Sequence, residues 1–213
     1  MVSHRDMRRF SVNMEISLII TIRGTSGSGK STLARRVMEH YPYGEPAWAT
    51  RRRNPLYYEL RRVDVDGNKQ TGRTLRVLGH YATPAGGGDT LDGLDQISGL
   101  VQDAHDWGHD VLYEGLVVSS DFLRVEAMHR SGLPVAVIGL STSLEECLDS
   151  VRARRAEKGN DAELNPKATE DKHRAVELMM MRFQKAGVPT FVLDREAAYL
   201  KVCELLGLTP DVA

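Results

Sequence analysis

The segment GTSGSGKS, Gly24 to Ser31, fits GxxxxGK[ST], a spacing with a specific use. Glycines at its ends and centre let backbone N–H groups turn inward around a phosphate, and a helix N-terminus behind them favours negative charge. Lys30 reaches β- and γ-phosphates, and Ser31 offers a hydroxyl to Mg²⁺. Gly24, Thr25, Ser26, Gly27, Ser28, Gly29, Lys30, Ser31 and Thr32 are therefore the expected ATP-binding run, with Lys30 also catalytic. A second acid-bearing element is VLYEG, which places Glu114 at the carboxyl end of an apolar strand. Glu114 there holds the Mg²⁺ shell through water or accepts a proton from an acceptor hydroxyl; the plainer alternative is a polar strand end. In RARRAEKGN, Arg152 and Arg155 are three apart on one helical face with Arg154 beside them. They clamp a transferring phosphate or merely complement the helix dipole. Asp194 and Arg195 follow the last strand, where Arg195 would hold a nucleotide base and Asp194 would otherwise just cap a helix.

A further loop, GHYATPAGGGDT at 79–90, has three consecutive glycines before an acid. Glycines there, Gly87 among them, let the backbone approach a flat substrate while Asp89 is delivered to an acceptor hydroxyl. In the alternative reading Asp89 or Thr90 simply caps the next helix.

These groups need a scaffold. ISLIITIRG reads as a buried parallel strand running into the first loop, and KSTLARRVMEH as the helix after it. DVLYEGLVV, LPVAVIGL and TFVLD read as further strands, each followed by a helical pattern, which argues for an α/β fold: a mainly parallel sheet covered by helices on both faces. Between residues 41 and 79 the pattern changes. PLYYELRRV and TLRVLGHY flank a turn at Asp66-Gly67-Asn68, so a β-hairpin inserted early in the domain is expected. Residues 152–170 read as a lid, with Gly159 and a polar run at its centre. Residues 1–13 read as a basic, flexible extension, and 14–213 as a single domain.

The net charge of −1 conceals a split. Residues 1–76 hold 15 Lys and Arg against 7 Asp and Glu, and the remainder holds 13 against 22. Much of the excess sits in or beside the insertion, at Arg51, Arg52 and Arg53 among others, and a basic half suits a polyanionic partner such as DNA. If that partner is DNA, Tyr57, Tyr58, His80 and Tyr81 would stack on a base drawn out of it. The two cysteines, Cys147 and Cys203, fall in apolar helical patterns and read as buried thiols. Histidines show no metal-ligand spacing, since the helix bearing His105 and His109 ends at Trp107-Gly108. No apolar run is long enough to span a membrane, so a cytoplasmic protein is expected.

IRGTSGSGKST, NPLYY, VLGHYATPAGGGDT, VLYEGLVVSSD and VRARRAEKGN together resemble the phage P-loop kinases that include 5-hydroxymethyluracil DNA kinases of thymidine hypermodification. The resemblance runs from about Ile16 to Val192. It implies phosphoryl transfer from ATP to the hydroxymethyl group of a modified pyrimidine in DNA. By position, Gly24 to Thr32 would bind ATP, Asp89 and Glu114 would flank the acceptor, and Arg152 with Arg155 would form the lid. The family often has cysteines flanking the second loop's glycines, whereas Ala85 and Gly88 stand here, leaving Asp89 as that loop's ionisable group. Two other readings stay open: a kinase of a free nucleoside, nucleotide or small metabolite, and a P-loop ATPase or nucleotide switch.

Overall fold

The computed structural model describes residues 17–64, 66, 67, 69–83, 86–115, 119–157, 159 and 165–211. The basic extension, Asn68 of the expected turn, Pro84 and Ala85 of the glycine loop, and residues 160–164 of the expected lid lie outside them. Seven strands and six helices follow in the order β1 (Ile19–Arg23), α1 (Lys30–Met38), β2 (Tyr43–Ala47), β3 (Tyr57–Val63), β4 (Gln70–Leu78), α2 (Leu94–Asp106), β5 (Asp110–Glu114), α3 (Ser119–Arg130), β6 (Val135–Leu140), α4 (Leu144–Glu157), α5 (Pro166–Lys185), β7 (Thr190–Leu193) and α6 (Arg195–Leu206). They build one sheet in the order β2-β3-β4-β5-β1-β6-β7. From β4 to β7 every pairing is parallel, while β2, β3 and β4 pair antiparallel.

β1, β5 and β6 are buried at every position, as continuous apolar runs covered on both faces must be. Period-two alternation sorts their side chains. Ile20, Ile22 and Leu112 face a core with Leu33, Ala34 and Val37 of α1 and Ala198, Tyr199 and Val202 of α6. Ile19, Val111 and Tyr113 face the opposite core, with Ile97 and Val101 of α2, Phe122 and Val125 of α3, and Val176 and Phe183 of α5. Both cysteines are buried and free, as expected.

The expected hairpin forms between β3 and β4, but the insertion is larger than a hairpin. A third strand, β2, pairs antiparallel with β3 along the sheet's edge. The sequence hid it because YGEPA carries a glycine and a proline and has no apolar alternation; it is exposed along most of its length. The insertion is also continuous with the main sheet, because β4 pairs parallel with β5 at Leu75–Asp110, Arg76–Val111 and Val77–Leu112. No helix among the described residues is long and apolar enough to cross a membrane.

Candidate active site

β1, β5 and β4 end side by side, and the loops leaving β1 and β4 meet there. Residues 24–29 run from β1 into α1, whose N-cap is Gly29 with no side-chain cap. The first backbone N–H groups of α1 therefore depend on a ligand or solvent for partners. Gly27 has φ +87, and a Cβ on it would stand 2.3 Å from the Cys147 carbonyl oxygen of α4. Glycine is thus required where the loop lies against that helix. From the other side, Thr142 Oγ1 donates to Ser28 O at 2.9 Å, and Arg195 Nε donates to the same oxygen at 2.9 Å. Arg195 therefore braces the loop's backbone at the cavity wall. Asp194 caps α6 through Ala197 N at 2.8 Å, the plain role.

Lys30 Nζ folds back onto the loop, donating to Gly24 O at 2.8 Å and Thr25 O at 3.1 Å. Burial lowers its pKa, while Glu114 and then Asp89 oppose that shift. Glu114 shares the parity of Leu112 along β5, which turns it to the α1 side and toward Lys30. Its residue exposure is 6%, and its Oε1 is buried without a hydrogen-bond partner. Burial pushes its carboxyl up; Lys30 and then a hydrogen bond from Ser31 pull it down, and Asp89 raises it again. An unpaired buried carboxylate oxygen costs free energy unless a ligand or ion meets it, which makes Glu114, beside a phosphate-type loop, a candidate site residue.

The glycine loop is pinned at both ends. Arg35 of α1 donates from Nε to Tyr81 O at 3.1 Å and from a terminal nitrogen to Thr83 O at 2.8 Å. Gly87 N donates to His80 O at 2.8 Å, and Thr90 Oγ1 donates to Gly87 O at 2.7 Å while accepting from His80 N at 3.0 Å. The 3-10 turn Gly88–Thr90 then lifts exposed Asp89 toward the cavity. A cavity of about 500 Å³ joins these parts, lined by the phosphate-type loop, Lys30, Ser31, Arg35, Gly86, Asp89, Glu114, Ser150, Ala153, Arg154, Glu157 and Arg195.

Several sequence expectations change on this geometry. Gly87 faces protein, not open space: with φ +85, a Cβ on it would stand 2.5 Å from Glu114 Oε1. Neither Asp89 nor Thr90 caps α2, whose N-cap is Gly93 with no side-chain cap bond. Arg152 lies off the cavity and pairs with Asp149 at 2.8 Å. The wall of α4 is Ser150, Ala153, Arg154 and Glu157, one helical stripe, from which Arg152 is about half a turn away. Arg155 shares a face with Arg152 but not with that stripe, so spacing alone chose the wrong face. Tyr81 cannot stack on a base from solvent, being 4% exposed and packed in the core. Burial, then the charge of Glu114, hold its phenol well above the ordinary range. His80 is half-buried with Nδ1 at 3.3 Å from Tyr58 Oη, and half-buried Tyr57 lies under the Arg76 guanidinium at 4.3 Å.

Of the three consecutive arginines, Arg51 and Arg53 are exposed. Arg52 is committed to the glycine loop's far end, donating to Thr90 O at 2.6 Å and pairing with Asp92. Sequence reasoning also missed Arg35, whose partners are backbone carbonyls more than forty residues away; no residue pattern signals such a bond. It missed Arg23 as well. Arg23 follows the parity of Ile19 to the other face, where it is fully buried, paired with Asp121 of α3 and close to the rings of Tyr113 and Phe183.

In chemical terms, cations and backbone amides to hold a polyphosphate share one cavity with three carboxylates, those of Asp89, Glu114 and Glu157. No protein-family model matches the chain. Over 189 residues it is 43% identical to the 5-hmdU DNA kinase of Pseudomonas phage PaMx11, covering 88% of this chain and 96% of that protein. Over 211 residues it is 25% identical to the 5-hmdU DNA kinase of Delftia phage PhiW-14, covering 90% and 74% respectively.

Proposed function

We infer the reaction from membership: the chain belongs to the 5-hmdU DNA kinase family, and it transfers the γ-phosphate of ATP to the 5-hydroxymethyl group of 5-hydroxymethyluracil in DNA. The sheet and its loops are then those of a P-loop kinase, a single domain with residues 152–170 as its lid. The observation that carries this reading is the single cavity in which the Gly24–Thr32 run meets Asp89 and Glu114.

On the donor side, loop amides and the α1 N-terminus hold the β-phosphate, and Lys30 exchanges its two carbonyl partners for phosphate oxygens. Arg154 and Arg195, both lining the cavity, add positive charge to the phosphate side. Ser31 and Glu114 fit a Mg²⁺ ion: a hydroxyl beside a buried carboxylate with an unpartnered oxygen suits an ion that keeps its waters and takes phosphate oxygens. Such an ion would neutralise charge between the β- and γ-phosphates. No cluster of three or more His, Cys, Asp or Glu that could hold a metal ion occurs among the described residues.

On the acceptor side, Asp89 rises from a loop fixed by Arg35 and Arg52. It takes the hydroxymethyl proton as that oxygen forms its bond to the γ-phosphorus and the bond to the ADP oxygen breaks. Glu114 is assigned to the ion because it lines the cavity with Lys30 and Ser31, the phosphate side, and feels the charge of Lys30. A target base within a duplex would leave the stack to bring its hydroxymethyl group to Asp89.

The test is to incubate the protein with γ-labelled ATP, Mg²⁺ and matched DNAs containing thymine or 5-hydroxymethyluracil, alongside the free nucleoside and nucleotide. Label on the hydroxymethyl group after digestion, with Lys30→Ala inactive and Asp89→Asn binding ATP without transfer, is the expected result. Better labelling of the free nucleotide would replace DNA as the substrate.

A further inference from the structure

The loop 48–55 joins β2 to β3 and is closed at its base by Leu56 N donating to Ala47 O at 2.8 Å. Within it Arg52 N donates to Ala49 O at 3.2 Å, so the loop is compact. It carries three arginines and no acid. Its side chains divide sharply in direction. The Arg52 side chain is 16% exposed and grips Thr90 O and Asp92 of the acid-bearing loop. Trp48 is 57% exposed, and Arg51 and Arg53 also face solvent. Arg51 has φ 68, the one positive-φ residue other than glycine among those described. Such strain concentrates where a side chain must be aimed. Chain geometry keeps the Trp48 and Arg51 Cα atoms within about 11 Å of one another.

A wide indole and two free guanidinia on one small loop suit a polyanion that also carries flat faces. That is a nucleic-acid strand: each base offers a surface for stacking, and its phosphates match arginine. We propose that Trp48 stacks on a base flanking the extruded 5-hydroxymethyluracil, with Arg51 and Arg53 on the adjoining phosphates and Arg52 as the strut setting their distance from Asp89. This rests on the DNA-kinase reading and adds to it a reading element outside the catalytic cavity.

The experiment uses Trp107→Phe, which leaves Trp48 as the sole tryptophan, and a single-site 5-hydroxymethyluracil oligonucleotide without ATP. Emission should be quenched saturably, with loss of access to iodide. Trp48→Ala should raise the KM for that DNA roughly 5- to 100-fold with kcat and the KM for ATP unchanged, and Trp48→Phe should recover most of the loss. Arg51→Ala and Arg53→Ala should each reduce the slope of log affinity against log salt by about 1, while Trp48→Ala leaves it unchanged. Unquenched emission with a wild-type KM for Trp48→Ala overturns the proposal. Failure of the unmodified protein to label the same DNA overturns the kinase reading instead. Quenching by a protein partner but not by DNA assigns the loop elsewhere and also refutes the proposal.

Discussion

Three glycines around the acid loop separate backbone strain from collision. At Gly93 (φ 97, ψ −174) an added Cβ would meet nothing within 4 Å, so alanine there suffers the backbone alone. Gly88 has no positive φ, but its Cβ would stand 2.4 Å from the backbone oxygen of Glu114, so alanine there suffers collision alone. Gly87 combines both, with φ 85, ψ −151 and the Glu114 carboxylate at 2.5 Å. A conformation open essentially to glycine alone costs another residue about 1–3 kcal/mol. For a chain of this size that lowers Tm by about 2–12 °C. Gly93→Ala should show this loss in a thermal melt and keep its kcat, because α2 starts in the same place and Asp89 does not move. Gly87→Ala should melt at least as early and lose on the order of 100-fold in kcat, since the loop and Glu114 must part by about an ångström. Gly88→Ala should lose kcat with the smaller share of strain. The assays are circular-dichroism melts, labelled transfer to 5-hydroxymethyluracil DNA, and calorimetric ATP binding. Transfer by Gly87→Ala within about threefold of wild type, or equal losses in Gly93→Ala, would refute the claim that the glycines make room for Glu114.

Two further outcomes follow from the cavity. In the metal-free protein, burial raises the Glu114 carboxyl, so the folded state binds its proton more tightly than the unfolded chain does. Stability from this group is present below the ordinary glutamate pKa and lost as pH rises through the higher folded value. Glu114→Gln should therefore raise Tm at neutral pH, leave it nearly unchanged in acid, and depress transfer and its Mg²⁺ dependence, as melts across pH and labelling across Mg²⁺ would show. On α4, Arg154→Ala should reduce kcat by about 10-fold or more, whereas Arg152→Ala, which removes an exposed pair with Asp149, should stay near wild type in both kcat and Tm.

Legibility in the sequence followed how local the cause was. β1, the loop after it and α1 could be read directly because their apolar run, glycine spacing and helix pattern are contiguous. Glu114 could be placed because a strand end is a local fact, and parity then aimed it. The face of α4 could not: Arg152 and Arg155 satisfy the same spacing rule as Ser150, Ala153, Arg154 and Glu157, and only the packed helix decides which stripe meets the cavity. Tyr81 looked like an exposed aromatic because nothing in VLGHYATP reports that its ring lies under α1. β2 escaped notice because an exposed edge strand has no need of the apolar alternation by which strands are read. Arg35 and Arg52 bind carbonyl oxygens, which every residue possesses, so their partners leave no trace in composition.

The two bonds from Arg35 to Tyr81 O and Thr83 O have a thermodynamic consequence. Arg35 stands on the same helix as Lys30 and Ser31, little more than a turn further along. A shift of that helix on nucleotide binding would therefore be delivered to the loop bearing Asp89, to which the proposed reaction gives the acceptor. Linkage makes the traffic reciprocal: by whatever factor ATP tightens DNA binding, DNA tightens ATP binding. In the proposed reaction Arg35 thus ties the donor side to the acceptor side, beside the contact that Glu114 makes with the glycine loop, and Arg35→Ala should weaken that coupling, read as a smaller effect of ATP on DNA affinity.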